Sequence, residues 1–330
     1  MRLVLVGDVM LGRLVNRALK KRPPEVVWGD TLRFFTSADA SVCNLECVIS
    51  ERGEEWAPER KVFHFRTDPK NVEALKKASV TAVTLANNHT LDFGPDAMND
   101  TLGSLDDAGI KRAGAGNGFS EASRAAYFEA GGVNFALLSF TDNEPEWEAK
   151  EGVPGVYFVP IDLNDQRASN LLEAIGEAKK RADIVIASPH WGPNRGYRPV
   201  KSHIPFAHAM IDSGADIVFG HSCHVFQGVE LYRGRPIIYS AGDFIDDYAV
   251  DDVERNDESF LFIVETDGAR MKRMLFYPAM IIRFEARGAR GFLAEEIAIK
   301  MKNLSSGFNT RLKWLEEESC LELDLSGPVK

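Results

Sequence analysis

The sequence has 330 residues, 45% hydrophobic and 27% charged, with a formal net charge of −10. A chain of this size and balance buries a core without disulfide staples, and its acidity argues against a surface of clustered Lys and Arg for nucleic acid. An anionic substrate is not excluded, because bound metal ions reverse the local field inside a cleft.

Arg2 to Gly7 is an apolar run ending at Gly-Asp and reads as a buried strand. The run Leu3 to Val6 is too short for a signal peptide, and no stretch of about 18 apolar residues follows anywhere. No membrane span is therefore expected, and the cytoplasm is the default location. Leu11 to Lys20 reads as a helix closed by Pro23-Pro24. Ser41 to Glu46 is a second strand, and Gly53 to Phe65 reads as an inserted loop. Asp68-Pro69 opens a helix through Val72, Leu75 and Ala78, with Asp68 placed to cap it. Thr81 to Ala86 is a third strand, running into Asn87-Asn88-His89. Pro95 to Ala108 is an amphipathic helix stopped by Gly109.

Asn134 to Phe140 alternates as a strand. Asn164 to Ala182 is the longest helix, with Leu171, Leu172, Ile175 and Ala178 on one face. Asp183 to Ser188 is a strand before His190. His203 to Ser213 is a helix, and Asp216 to Phe219 is a strand before Gly220-His221. Beyond this, Val229 to Leu231, Pro236 to Ser240, Phe260 to Thr266 and Met271 to Phe276 read as strands. Glu295 to Lys302 and Arg311 to Glu317 read as helices. The pattern divides the chain into an α/β domain over residues 1–285 and a C-terminal helical appendage over 286–330.

Polar, metal-capable residues stand just past the ends of separate strands: Asp8, then Asn44 and Glu46, then Asn88 and His89, then His190, then His221 and His224. In α/β sheets, loops converge at the carboxyl ends of the strands. Each residue alone has an ordinary explanation. Gly-Asp is a common turn, Asn-Asn suits a loop, and a lone histidine packs or caps. Five strand ends each offering a donor point to a site. His64, His203 and His208 have no such neighbours and read as structural. Cys43, Cys47, Cys223 and Cys320 form no Cys-x-x-Cys pair and read as buried thiols.

Two carboxylates, an amide oxygen and three imidazoles suit Mn, Fe or Zn, as one or two divalent ions. A pair of ions needs a bridging carboxylate, for which Glu46 is the natural candidate. His89 suits proton transfer to a leaving group.

The motifs GDVMLGR (7–13), NLE (44–46), LANNHTLDFG (85–94), HWG (190–192), GHSCHVFQG (220–228) and YSAGDF (239–244) resemble the CapA family. That family is similar to the calcineurin-like metallophosphoesterases. Lys61 and Phe65-Arg66 also look like a family-typical loop. The resemblance implies a four-layer α/β/β/α sandwich with a metal centre at one edge. It implies Asp8 and His224 on one ion, and Asn88, His190 and His221 on the other, with Glu46 bridging. It makes His89 the acid/base residue and Arg13 and Asp92 its supporting or substrate contacts.

Three positions depart from the phosphoesterase pattern. Met10 stands where Asp-x-His would place a histidine, two residues separate His221 from His224, and Asp243 stands where many relatives have Asn. The resemblance implies a small anionic or a peptide or polyglutamate substrate. The leading activity is hydrolysis of a phosphoester or glutamyl-type amide. Epimerisation at a peptide α-carbon and a non-catalytic role in a polymer-handling complex are the alternatives.

Overall fold

The computed structural model describes residues 1–57 and 61–327. In chain order, β1 is Arg2–Val9, β2 Ala40–Leu45, β3 Ala82–Thr84, β4 Lys111–Ala113 and β5 Val133–Thr141. They are followed by β6 Ile184–His190, β7 Ile217–Phe219, β8 Arg235–Ile238, β9 Asp243–Ile245, β10 Glu258–Asp267 and β11 Arg270–Ile282. The main helices are α1 Gly94–Asp107, α2 Gln166–Lys179, α3 His203–Asp212 and α4 Phe292–Ser306.

Two sheets face each other. In the first, β1, β2, β3 and β4 run parallel, and β10 joins β1 antiparallel on the other side, followed by β11. In the second, β5, β6, β7 and β8 run parallel in that order. Strand period sorts the core. Leu3 and Leu5 of β1 meet Phe135, Ile186 and Phe219 of the second sheet, while Val4 and Val6 face outward to Leu75, Met98 and Leu102. On the far side, Val185 and Ala187 of β6 pack under Leu171 and Ile175 of α2 and Phe206 of α3. The order of layers is thus helix, sheet, sheet, helix, the α/β/β/α sandwich expected. Fully buried Phe260, Phe262 and Phe276 fill the space between the sheets, each contributing roughly 1.5–3 kcal/mol.

One close approach positions the site. β9 lies beside β1 in parallel, with Asp8 opposite Asp243 and the Asp8 N–H donating to the Gly242 carbonyl at 3.1 Å. A Cβ on Gly7 would collide with that carbonyl oxygen, so only glycine fits. Gly242 itself has φ +77°, the left-handed region.

Two local expectations are corrected. The segment Arg311 to Glu317 is not a helix. It carries the short strand Lys313–Leu315, which pairs with Cys320–Asp324, and this in turn extends the first sheet next to β11. Pairing to an exposed sheet edge outweighs the strong helical propensity of Leu312, Lys313 and Leu315. Asp68 does not cap the helix after it. Its carboxylate accepts from Asn16 Nδ2 at 3.1 Å. The loop reading of Gly53 to Phe65 falls in part on residues 58–60, outside the described residues. On either side of them the chain is neither helix nor strand.

Candidate metal centre

The carboxyl ends of both sheets open at one edge of the sandwich. Asp8 lies at the end of β1 and Glu46 just past β2. Asn87 to His89 follow β3, His190 closes β6, and His221 follows β7. Two groupings of donor atoms result, each with all its atoms within 4.8 Å of one another. One is Asp8, His190 and His221; the other is Asp8, Glu46, His224 and Asp243. Asp8 belongs to both, and Glu46 to one.

Hydrogen bonds assign the tautomers. The Ser188 hydroxyl donates to the Phe219 carbonyl at 2.8 Å, so toward His221 Nε2, 3.0 Å away, it can only accept. His221 therefore carries its proton on Nε2. Asn88 Oδ1 lies 3.0 Å from His190 Nε2, which places the His190 proton there. Both rings then turn a bare Nδ1 lone pair inward, and these two Nδ1 atoms are 2.8 Å apart. Burial pushes the His221 pKa down to about 3 and holds His190 well below the ordinary imidazole value, so neither ring takes a second proton at neutral pH. Two facing lone pairs repel unless a cation lies between or beside them.

The carboxylates carry the same message. Asp8, Glu46 and Asp243 are buried. Asp8 Oδ2, both Glu46 oxygens and Asp243 Oδ2 have no hydrogen-bond partner. Among the described residues, the basic groups beside them are histidines, whose pKa burial lowers, and no Lys or Arg. Burial raises the pKa of all three. The neighbouring Asp8 and Asp243 charges add to Glu46, and Asp246 and Asp8 add to Asp243. Buried charge without a counter-ion costs several kcal/mol per ion. Orphaned carboxylate oxygens and inward imidazole lone pairs are together a donor set that fits a divalent transition ion.

The turn carrying the last histidines explains their unusual spacing. Ser222 has φ 112° and His224 φ 59°, so the chain reverses between the two rings. His221 faces His190, and His224 Nδ1 lies 2.9 Å from Asp243 Oδ1.

Beside this centre stands a second unit. His89 Nδ1 donates to Asp92 Oδ2 at 2.6 Å, leaving a lone pair on Nε2, which lies 3.3 Å from Asn88 Nδ2 and 3.7 Å from Glu46 Oε1. Asp92 also accepts the Phe65 N–H at 2.6 Å and pairs with Lys61 Nζ at 2.9 Å. Lys61 further reaches the Asn88 carbonyl and lies over the Trp147 ring at 4.3 Å. Phe65 stacks on the His89 ring at 3.9 Å. Burial lowers the His89 pKa to about 4, against the opposing pull of Asp92. A cleft of about 610 Å³ is lined by Asn88, His89 and His224 together with Arg13 and Lys61. Arg13 pairs with Asp247 at 3.4 Å and packs over Phe63.

Of the nine residues singled out from sequence, Asp8, Glu46, His190, His221 and His224 fall in the two groupings. Asn88 lies beside them, its amide oxygen 3.0 Å from His190 Nε2 and its amide nitrogen 3.3 Å from His89 Nε2. His89 and Asp92 form a bonded pair, and Arg13 stands at the cleft. Sequence reasoning missed Ser188, whose place two residues before His190 on a strand puts both on one face. It also missed the bracing role of Asn44. Asn44 Nδ2 donates to Asp8 Oδ1 at 2.7 Å, while its Oδ1 accepts from Thr84 and Asn87 at 3.0 Å each. His203 stacks on Trp191 and His208 on Tyr232, away from the groupings. All four cysteines are buried free thiols.

A four-layer α/β sandwich with carboxylates and imidazoles clustered at its strand ends is the class the fold and site define. The sequence places it further. The family model for "Bacterial capsule synthesis protein PGA_cap" matches residues 2–248, and the chain belongs to that family. A probable polyglutamine synthesis accessory protein of Mycobacterium tuberculosis is 33% identical over 297 residues, 86% of this chain and 78% of the relative. The PGA biosynthesis protein CapA of Bacillus subtilis is 34% identical over 244 residues, 73% of this chain and 62% of that one. The capsule biosynthesis protein CapA of Bacillus anthracis is 31% identical over 251 residues, 74% of this chain and 59% of that one. A hypothetical protein from Thermus thermophilus shares the fold at a TM-score of 0.51 and 17% identity, covering 84% of this chain and 98% of that one. No helix among the described residues is long and apolar enough to cross a membrane.

Proposed function

We propose that this chain is a metal-dependent hydrolase that cleaves a phosphoester or glutamyl-type amide in the handling of an anionic polymer. The facing Nδ1 lone pairs of His190 and His221, 2.8 Å apart, carry the reading. Asp8, His190 and His221 would hold one ion, and Asp8, Glu46 and His224 would hold a second. Asn88 keeps the His190 and His89 rings in place. When bound, the ions supply positive charge toward a developing oxyanion and acidify water. His89 takes a proton from the attacking water on Nε2, in place of the Asn88 Nδ2–H that lies beside it in this structure, and returns that proton to the leaving atom. Asp92 holds the Nδ1 proton, and so the tautomer. Lys61 and Phe65 fix Asp92 and the ring from the other side. Arg13 lines the entrance, where an anionic substrate arrives. The names of the relatives, which concern polyglutamine and capsule synthesis, support a polymer substrate.

The test is direct. Protein loaded with Mn²⁺, Fe²⁺ or Zn²⁺ is offered a chromogenic phosphate ester and a γ-glutamyl anilide. Turnover of one of them, lost in His89→Gln with metal content unchanged, supports the proposal. Absence of turnover of both with every metal refutes it.

A further inference from the structure

The pairing of β1 with β9 brings a second carboxylate to the place where Asp8 stands. We propose that Asp243 is itself a metal ligand, completing an oxygen-rich position with Asp8, Glu46 and His224. This inference rests on the proposed metal centre and adds a donor that the sequence motifs did not assign.

Three observations carry it. First, Met10 does not offer a donor to the centre. It is fully buried among apolar side chains, and its sulfur accepts the Gly12 N–H at 3.0 Å. The first strand therefore supplies one ligand, Asp8. Second, Asp243 is opposite Asp8 in the parallel register, and the Gly7–Gly242 contact fixes that alignment in the backbone. Third, Asp243 is 0% exposed, and its Oδ2 has no partner, while Oδ1 meets His224 Nδ1 at 2.9 Å. A buried carboxylate with one oxygen bonded to a histidine and the other unpartnered within a ligand cluster is suited to an ion.

The donor chemistry then distinguishes the two positions. The grouping with Asp243 holds three carboxylates and one imidazole, whereas the other holds one carboxylate and two imidazoles. Carboxylate oxygens suit Mn²⁺ and Mg²⁺, and imidazoles suit Zn²⁺ and Fe²⁺. Asp243 thus shifts its position toward harder ions.

The experiment titrates wild type and Asp243→Asn with Mn²⁺, reading free ion by electron paramagnetic resonance, and follows thermal unfolding in chelator. Asn keeps the shape and an acceptor for His224, so the fold is retained. The expected result is Mn²⁺ binding at least tenfold weaker in the variant, with thermal stability in chelator equal to or above wild type. Relief of carboxylate repulsion accounts for the second half. Equal Mn²⁺ affinity in the two proteins overturns the assignment. So does a variant less stable than wild type in chelator, which marks Asp243 as a structural partner of His224. A wild-type protein that binds no divalent ion at all sinks the proposed metal centre as well, a result distinct from either of these.

Discussion

His190 and His221 face each other through Nδ1 atoms 2.8 Å apart, with both Nε2 protons committed elsewhere. The arrangement stores repulsion that a bound cation turns into attraction. Chelation is therefore expected to lower stability. An ion present at a hundredfold over its Kd adds about 2.7 kcal/mol. Calorimetry with and without chelator reads the difference, and coincident transitions contradict the metal centre.

Ser188 accepts from His221 Nε2 and so keeps the inward nitrogen bare. Ser188→Ala removes that acceptor and frees the proton to move to Nδ1. Metal affinity is expected to fall roughly 10- to 100-fold, the usual cost of losing a partner behind a ligand. Isothermal titration measures it; an unchanged Kd would show that the tautomer is held by other means.

Lys61 touches Asp92, the Asn88 carbonyl and the Trp147 face, but no residue of either grouping. Lys61→Met leaves Asp92 without its cation and loosens the loop over His89. It is expected to reduce kcat about tenfold at constant metal content, whereas His89→Gln costs roughly 100-fold or more. Metal analysis alongside the kinetics separates the two effects. Loss of metal in Lys61→Met would place it in the centre itself.

His203 is buried against Trp191, with ring centroids 4.4 Å apart, and burial lowers its pKa to about 4 from 6.5. The unfolded chain binds this proton more tightly between these values. Stability from this residue is complete above pH 6.5 and is lost as pH falls toward 4, by at most about 3 kcal/mol. His203→Phe keeps the stack without the titration. Its urea-unfolding free energy should fall less than that of wild type between about pH 7 and 5. Parallel curves would rule out His203 as a contributor.

An α/β fold was legible in the alternation of apolar runs with amphipathic helices, because burial on both faces leaves continuous strands such as Leu3 to Val6, while the four-layer sandwich was implied only by the resemblance to the CapA family. The donors at the strand ends were legible for the same reason, since the topology sends those ends to one edge. Three features were not. Asn88 reads as a ligand by type, and the sequence does not reveal that its amide lies between the His190 and His89 rings. Ser188 looks like any strand residue until its hydroxyl is seen to donate to the Phe219 carbonyl. The hairpin near the C-terminus depends on an available sheet edge, which local propensity does not encode.

The contact between Gly7 and the Gly242 carbonyl ties the start of the sequence to a segment in its last third. A ribosome must have released Asp243 before Asp8 gains its neighbour. In the proposed centre, the position with Asp8, Glu46, His224 and Asp243 is then complete only late in maturation, and chains ending before Asp243 lack that donor. An ion bound at that proposed position would mark β9 as docked beside β1.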